Sequence, residues 1–311
     1  MNQDIPGLAR PAAGRRGRIL VVDDQPANIV VAHQILRERH DVFMATNGEQ
    51  ALEFCRATPP DMLLLDVEMP GLNGMDVCRR LKQDPATHDI PVIFVTGLQN
   101  PQQELECWEA GAADFVSKPV TPITLLNRVN AHLTLKFQAD QLRVLAYHDG
   151  LTGIANRRNF DERLDKAWRH CQRARSTLAL ILSDVDLFKK YNDSCGHHAG
   201  DECLRQVASA IQDQMRRPYD LAARYGGEEF VCLLPETTLA GAVTVAIKID
   251  AAVRALHIQH PASSVDVCVT LSQGVAVIEP DAGEDGERLL RLADDQLYLA
   301  KRTGRGRVCA V

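Results

Sequence analysis

Between Arg18 and about Pro122, short apolar runs alternate with amphipathic stretches: Ile19 to Val22, Val42 to Ala45, Met62 to Leu65, Val92 to Val95 and Phe115 to Val116. Runs this short, separated by helix-length spacers, predict the strands of a parallel sheet wrapped by helices. In a doubly wound sheet, functional groups collect at the carboxyl ends of the strands. Two of the runs end there in acid: Asp23 and Asp24 follow the first, and Asp66 follows the third. From Thr121 to His148 there is no glycine and only Pro122 near the start, while Leu126, Val129, Leu133 and Phe137 recur at helical spacing ahead of Leu142 and Leu145. That spacing predicts one long helix leaving the first domain. It reads either as the last helix of that domain plus a connector or as a dimerising stalk with a short, broken heptad.

The pattern changes from Asp149 onward. The apolar run Leu178 to Leu182 ends at Ser183-Asp184, and a helix follows with Leu204, Val207, Ala208, Ile211 and Met215 on one face. A strand pair flanks Gly226-Gly227, and another helix carries Ala242, Val245, Ala246, Ile249 and Val253. The run Val265 to Leu271 and a final helix ending near Lys301 complete a mixed α/β or α+β sandwich.

A chain of 311 residues, 45% apolar and 24% charged, fits two ordinary globular units rather than a disordered or fibrous polymer. The division read from the pattern is a flexible tail over 1–17, a first domain over 18–122, a helical linker or stalk over 123–148 and a second domain over 149–311. Apolar runs such as Leu178 to Leu182 are far below the roughly 20 residues of a membrane-crossing helix, so no membrane partner is expected. The tail has no apolar core of the secretory kind. Nine cysteines without a Cys-x-x-Cys pair suggest neither a disulfide framework nor a zinc site, which fits a reducing, cytoplasmic setting. Cys195 and Cys203 read as packing residues. A net charge of −6 gives no general attraction for nucleic acid, so a polyanionic substrate has to be held by a few placed cations or by metal.

The acids at the strand ends are the first such arrangement. Asp23, Asp24 and Asp66 form a set of hard oxygen ligands suited to magnesium, while Thr96 and Lys118, after the fourth and fifth runs, offer a hydroxyl and a point charge to a phosphoryl group. Val21-Val22-Asp23-Asp24, Leu65-Asp66-Val67-Glu68-Met69-Pro70-Gly71, Val95-Thr96-Gly97 and Ser117-Lys118-Pro119 resemble, in order, the defining segments of a response-regulator receiver domain. The resemblance implies a flavodoxin-like α/β fold and phosphorylation of Asp66 by a cognate histidine kinase. It further implies magnesium held by Asp23, Asp24 and Asp66, phosphate contact by Lys118, and a switch pair in Thr96 and Phe115.

The second arrangement is Arg224-Tyr225-Gly226-Gly227-Glu228-Glu229-Phe230, which reads as a hairpin tip with two carboxylates able to hold metal against phosphate. Together with Asp184-Val185-Asp186-Leu187-Phe188-Lys189, Asn192-Asp193 and Gly196 to Asp201, it resembles the GGDEF family of diguanylate cyclases in its GGEEF form. Asp149 to Gly153, Thr270 to Ala276 and Ala300 to Arg305 carry the resemblance further. It implies a nucleotide-cyclase-like α/β sandwich that joins two GTP into cyclic di-GMP across a homodimer. In that scheme Asp184, the Val185 carbonyl and Glu228 hold magnesium or manganese, and Glu229 sits beside the reacting 3′-hydroxyl. Lys189, Lys301 and Arg305 neutralise the triphosphate, and Asn192 and Asp201 read the guanine edge. Arg217-Pro218-Tyr219-Asp220 matches the family's Arg-x-x-Asp inhibitory site. His198, in a place often acidic, and Gly306, where asparagine is common, depart from the usual pattern. A catalytically idle domain that only binds GTP or cyclic di-GMP is the competing reading.

Overall fold

The computed structural model describes residues 15–97, 101–281 and 285–311, without the side chains of Pro101 and Gln103. Two compact units divide the chain. In the first, five strands, β1 (Arg18–Val22), β2 (Asp41–Ala45), β3 (Met62–Leu65), β4 (Val92–Thr96) and β5 (Asp114–Ser117), alternate with α1 (Pro26–Leu36), α2 (Gly48–Ala57), α3 (Gly74–Gln83), α4 (Pro101–Glu109) and α5 (Pro122–Tyr147). All pairings are parallel, in the order β2-β1-β3-β4-β5. Alternate residues of each strand serve opposite faces. Leu20, Val22, Leu63, Leu65 and Phe94 pack with α2 and α3, while Ile19, Val21, Met62, Leu64 and Ile93 pack with α1 and α5. The five expected strands and the long helix are therefore present. Leu125, Val129, Leu133 and Phe137 of α5 belong to this unit's core, so that half of the helix is the domain's last helix, and Leu142 and Leu145 beyond it are exposed. Of the expected N-terminal tail, residues 1–14 lie outside the described residues. Arg16 donates to the carbonyls of Arg37, Glu38 and His40 and to Asp41.

The second unit holds β6 (Ala155–Asn156), α6 (Arg157–Ala174), β7 (Leu178–Val185), α7 (Phe188–Cys195), α8 (His197–Gln212), β8 (Leu221–Gly226), β9 (Glu229–Pro235), α9 (Leu239–Ala255), β10 (Leu271–Ile278), α10 (Gly286–Arg302) and β11 (Val308–Ala310). Its six-stranded mixed sheet has the order β11-β10-β7-β9-β8-β6. The central strand β7 is buried along its whole length. Ala179, Ile181 and Val185 face a core shared with α8 and α9, and Leu178, Leu180 and Leu182 face one shared with α6 and α10. The result is helices on both faces of the sheet. One expectation is corrected: Val265 to Leu271 is not a strand. Ser263 Oγ accepts from the backbone of Val265 and Asp266, only Cys268 makes a lone bridge to Gln259, and β10 begins at Leu271 where β7 provides a partner. Among the cysteines Cys203 is buried, as expected, but Cys195 is exposed at the end of α7, where it packs against no core. No described helix is long and apolar enough to cross a membrane.

Candidate active site

In the first unit the strand order delivers the acids to one edge. Asp23 directly follows β1, Asp66 directly follows β3, and the Asp66 amide donates to the Val22 carbonyl at 2.9 Å. Ligand oxygens of Asp23, Asp24 and Asp66 lie within 4.8 Å of one another, and among the described residues this is the one such group of three. Lys118, one residue past β5, has its amide on the Thr96 carbonyl, and its Nζ lies 2.8 Å from both Asp23 Oδ2 and Asp66 Oδ2. Burial pushes the Asp66 carboxyl up, with Lys118 opposing it. The Lys118 ammonium, although burial works against its charge, is held above its ordinary value by hydrogen bonds to the two aspartates. Asp24 Oδ1 is buried without a hydrogen-bond partner. Three hard carboxylates with one orphaned oxygen fit a magnesium ion, which favours oxygen ligands and relieves unpaired buried charge. Thr96 is buried at the end of β4, and Phe115 packs edge-on against Trp108 at 5.8 Å. Gly74 is required here, since a Cβ at that position would lie 2.0 Å from the Asp66 carbonyl oxygen.

In the second unit the antiparallel register puts Asp184 of β7 opposite Glu229 of β9, and the Val185 amide donates to the Glu228 carbonyl at 3.3 Å. Gly226 and Gly227 form the tip between β8 and β9, and an added Cβ at either would meet no protein atom within 4 Å, so the tip faces open space. Gly227 sits at φ +55, a region glycine enters without strain. Arg224 fastens the tip: its Nε donates to the Gly227 carbonyl at 2.9 Å and its Nη1 to Asp149 at 3.0 Å. Asp184 is 8% exposed, and burial raises its carboxyl to about 6 against the pull of Lys301. Lys301 Nζ lies 2.7 Å from Asp184 Oδ2, so the lysine assigned to the triphosphate is paired with a carboxylate assigned to metal. A nearly buried carboxylate with Glu228 and Glu229 close enough to raise it further suits a divalent cation.

The remaining expected residues surround this pair of strands. Lys189 is exposed on the first turn of α7, and Arg305 is exposed beyond α10 at φ +62. Asn192 Oδ1 is buried with no partner, and a Cβ at Gly200 would fall 1.8 Å from it, while Asp201 is exposed on α8. His197 and His198 are both exposed. Arg217 and Asp220 share a turn in which the Arg217 amide donates to Asp220 Oδ2 at 3.0 Å. A cavity of about 440 Å³ there is also lined by Arg216, Thr237 and Lys248. The sequence reading missed Asp186, which is buried and accepts from Thr270 Oγ1 at 2.7 Å, Ser272 Oγ at 2.6 Å and the Gly306 amide at 2.9 Å. Its only local signal is its place two residues after Asp184.

Residues 146–307 match the family described as diguanylate cyclase, GGDEF domain, and residues 19–130 match the response regulator receiver domain. Response regulator PleD of Caulobacter vibrioides is 31% identical over 98% of this chain and 68% of its own length. Diguanylate cyclase DosC of Escherichia coli is 38% identical over 51% of this chain and 34% of its own. The solved coiled coil and GGDEF domain of DgcB from Caulobacter crescentus, in complex with c-di-GMP, is 35% identical. It aligns with a TM-score of 0.54 over 61% of this chain and 98% of that one.

Proposed function

The chain belongs to the GGDEF family of diguanylate cyclases, with a response regulator receiver domain ahead of the GGDEF domain, and from that premise we propose that it makes cyclic di-GMP under the control of Asp66 phosphorylation. Two GTP react. Each 3′-oxygen forms a bond to the α-phosphorus of the other nucleotide, each α–β phosphoanhydride bond breaks, and two pyrophosphates leave. The observation that carries the reading is the β7–β9 pairing, with Asp184 across from Glu229 beside an open glycine tip. Glu229 stands beside the 3′-hydroxyl in place to accept its proton, and Lys189, Lys301 and Arg305 bear on the triphosphate. Asn192, with its orphaned oxygen, and Asp201 accept from the guanine donors that adenine lacks. Asp184, the Val185 carbonyl and Glu228 would hold magnesium or manganese, which would neutralise gathered negative charge and acidify the attacking 3′-hydroxyl, and Asp23, Asp24 and Asp66 would hold magnesium, which would offset the charge of the carboxylates and the incoming phosphoryl group. Positioning and electrostatics carry most of the acceleration.

One domain holds one GTP, so the active form is a two-fold homodimer, and phosphorylation at Asp66 by a histidine kinase shifts the receiver between states that favour or disfavour it. Cyclic di-GMP binding at Arg217 and Asp220 closes a feedback loop. The test is chromatography of products from GTP and magnesium, with and without acetyl phosphate. Product that rises with the phosphodonor, is absent in Glu229→Ala and does not respond in Asp66→Asn is expected, and Arg217→Ala is expected to escape product inhibition. GTP binding without any product would favour the idle receptor instead. Equal activation of Asp66→Asn would remove the phosphorylation control.

A further inference from the structure

The loop that carries Arg305 has an unusual backbone. Arg305 and Gly306 sit in succession at φ +62 and +56, and the first of these is a strained position for a side-chain-bearing residue. The Arg305 side chain makes no hydrogen bond or ion pair among the described residues, so nothing of its own fixes where it points. Gly306, in contrast, is gripped from both sides. Its amide donates to Asp186 at 2.9 Å, and its carbonyl accepts from Arg254 Nη2 at 3.1 Å. Arg254 spends its other nitrogens on two carboxylates, Nε on Asp250 at 2.8 Å and Nη1 on Asp266 at 2.6 Å. These interactions raise the guanidinium above its ordinary value. Asp266 belongs to the irregular segment between α9 and β10, whose His260 Nε2 also lies 3.3 Å from the carbonyl of Leu187. Leu187 is another left-handed residue, at φ +55, placed two before Lys189.

From this arrangement we infer that Arg254, clamped by Asp250 and Asp266, is a positioning residue for the triphosphate: by holding the Gly306 carbonyl it aims the Arg305 guanidinium. The inference rests on the assignment of Arg305 to the triphosphate in the proposed function. A planar fork reaches two carboxylates and a carbonyl from three separate nitrogens in fixed directions, whereas a lysine ammonium offers its three donors from a single point on a flexible stem. Gly306 fits the same scheme, since an added Cβ would lie 3.2 Å from Arg254 Nη2 and 3.1 Å from Val265.

Calorimetric binding of GTP and of GMP, each with magnesium, tests it on the full chain and on Arg254→Lys, Arg305→Ala, the double variant and Asp266→Asn. Arg254→Lys is expected to weaken GTP about tenfold and leave GMP unchanged, and the double variant to lose no more than Arg305→Ala alone. Asp266→Asn, which keeps the guanidinium and removes one of its anchors, is expected to lose about threefold, again for GTP only, and carries the test if Arg254→Lys melts too low to assay. A merely structural Arg254 would lower the melting temperature and weaken both nucleotides alike or neither, and that result, or additive losses in the double variant, would overturn the inference. An unmutated chain that binds GTP but forms no product would sink the proposed activity and leave the clamp standing, whereas no GTP binding at all would remove both.

Discussion

Asp186→Ala isolates what the buried carboxylate contributes to the second unit. Asp186 is 1% exposed and accepts three hydrogen bonds, from Thr270, Ser272 and Gly306, at 2.6 to 2.9 Å. Each bond to a charged acceptor contributes on the order of 1.5–3 kcal/mol, but the three do not add. Removing the charge also removes its desolvation cost, so the expected net loss is about 3–5 kcal/mol. Asp186→Asn keeps one acceptor oxygen and can donate to the hydroxyl oxygens, so it is expected to cost only about 1–2 kcal/mol. Urea unfolding followed by tryptophan emission reads this. Trp168 lies in the core of the second unit, and a Trp108→Phe background removes the tryptophan of the first. The denaturant slope should stay unchanged, because the surface exposed on unfolding is the same. A loss below about 1 kcal/mol for the alanine variant, or an asparagine variant as damaged as the alanine one, would refute the reasoning.

Asp149 gives a pH dependence with a defined sign. Burial opposes its ionisation, yet hydrogen bonds from Thr152 and Arg224 prevail and hold the carboxyl below its ordinary value. A depressed acid contributes stability above its unfolded value and loses it as the pH falls through the folded one. Asp149→Asn should therefore be less stable than the unmutated protein by about 1.5–3 kcal/mol at neutral pH, with the gap closing below about pH 4; an equal gap at about pH 3 and pH 7 would count against the assignment. Gly274→Ala would put a methyl 2.1 Å from the Ala293 carbonyl and 2.3 Å from the Leu297 amide of α10, a clash with backbone. A destabilisation of about 3 kcal/mol is expected by calorimetry, set against Gly150→Ala, which meets no atom within 4 Å and should change little; equal melting of the two variants would show that α10 moves aside freely.

What could be read from the sequence, and what could not, divides along a physical line. Asp23, Asp66 and Thr96 were legible because each stands where an apolar run stops, and a parallel sheet sends all such ends to one edge. Glu228 and Glu229 were legible because two glycines between apolar strands mark a hairpin tip. Asp186 was not, since its partners are 84, 86 and 120 residues away and nothing local distinguishes a buried acceptor of three donors from a solvated aspartate. The pairing of Lys301 with Asp184 was hidden for the same reason. Val265 to Leu271 failed in the opposite direction. Val265, Val267, Val269 and Leu271 alternate as a strand should, but Val267 is 72% exposed and Asp266 is committed to Arg254, so tertiary contacts overrode a correct local period. Periodicity reports which face a residue serves; it carries no information about which distant donor or acceptor completes it. Asp23, Asp66, Asp184 and Glu229 stand at or next to strand ends, where local pattern is strongest, whereas Asp186, Arg224 and Arg254 reach Gly306, Asp149 and Gly306 across 120, 75 and 52 residues of chain. Substitutions at Asp184 and Glu229 should therefore remove turnover with little loss of stability, Asp186→Ala should lower stability, and Arg254→Lys should weaken GTP while leaving GMP unchanged.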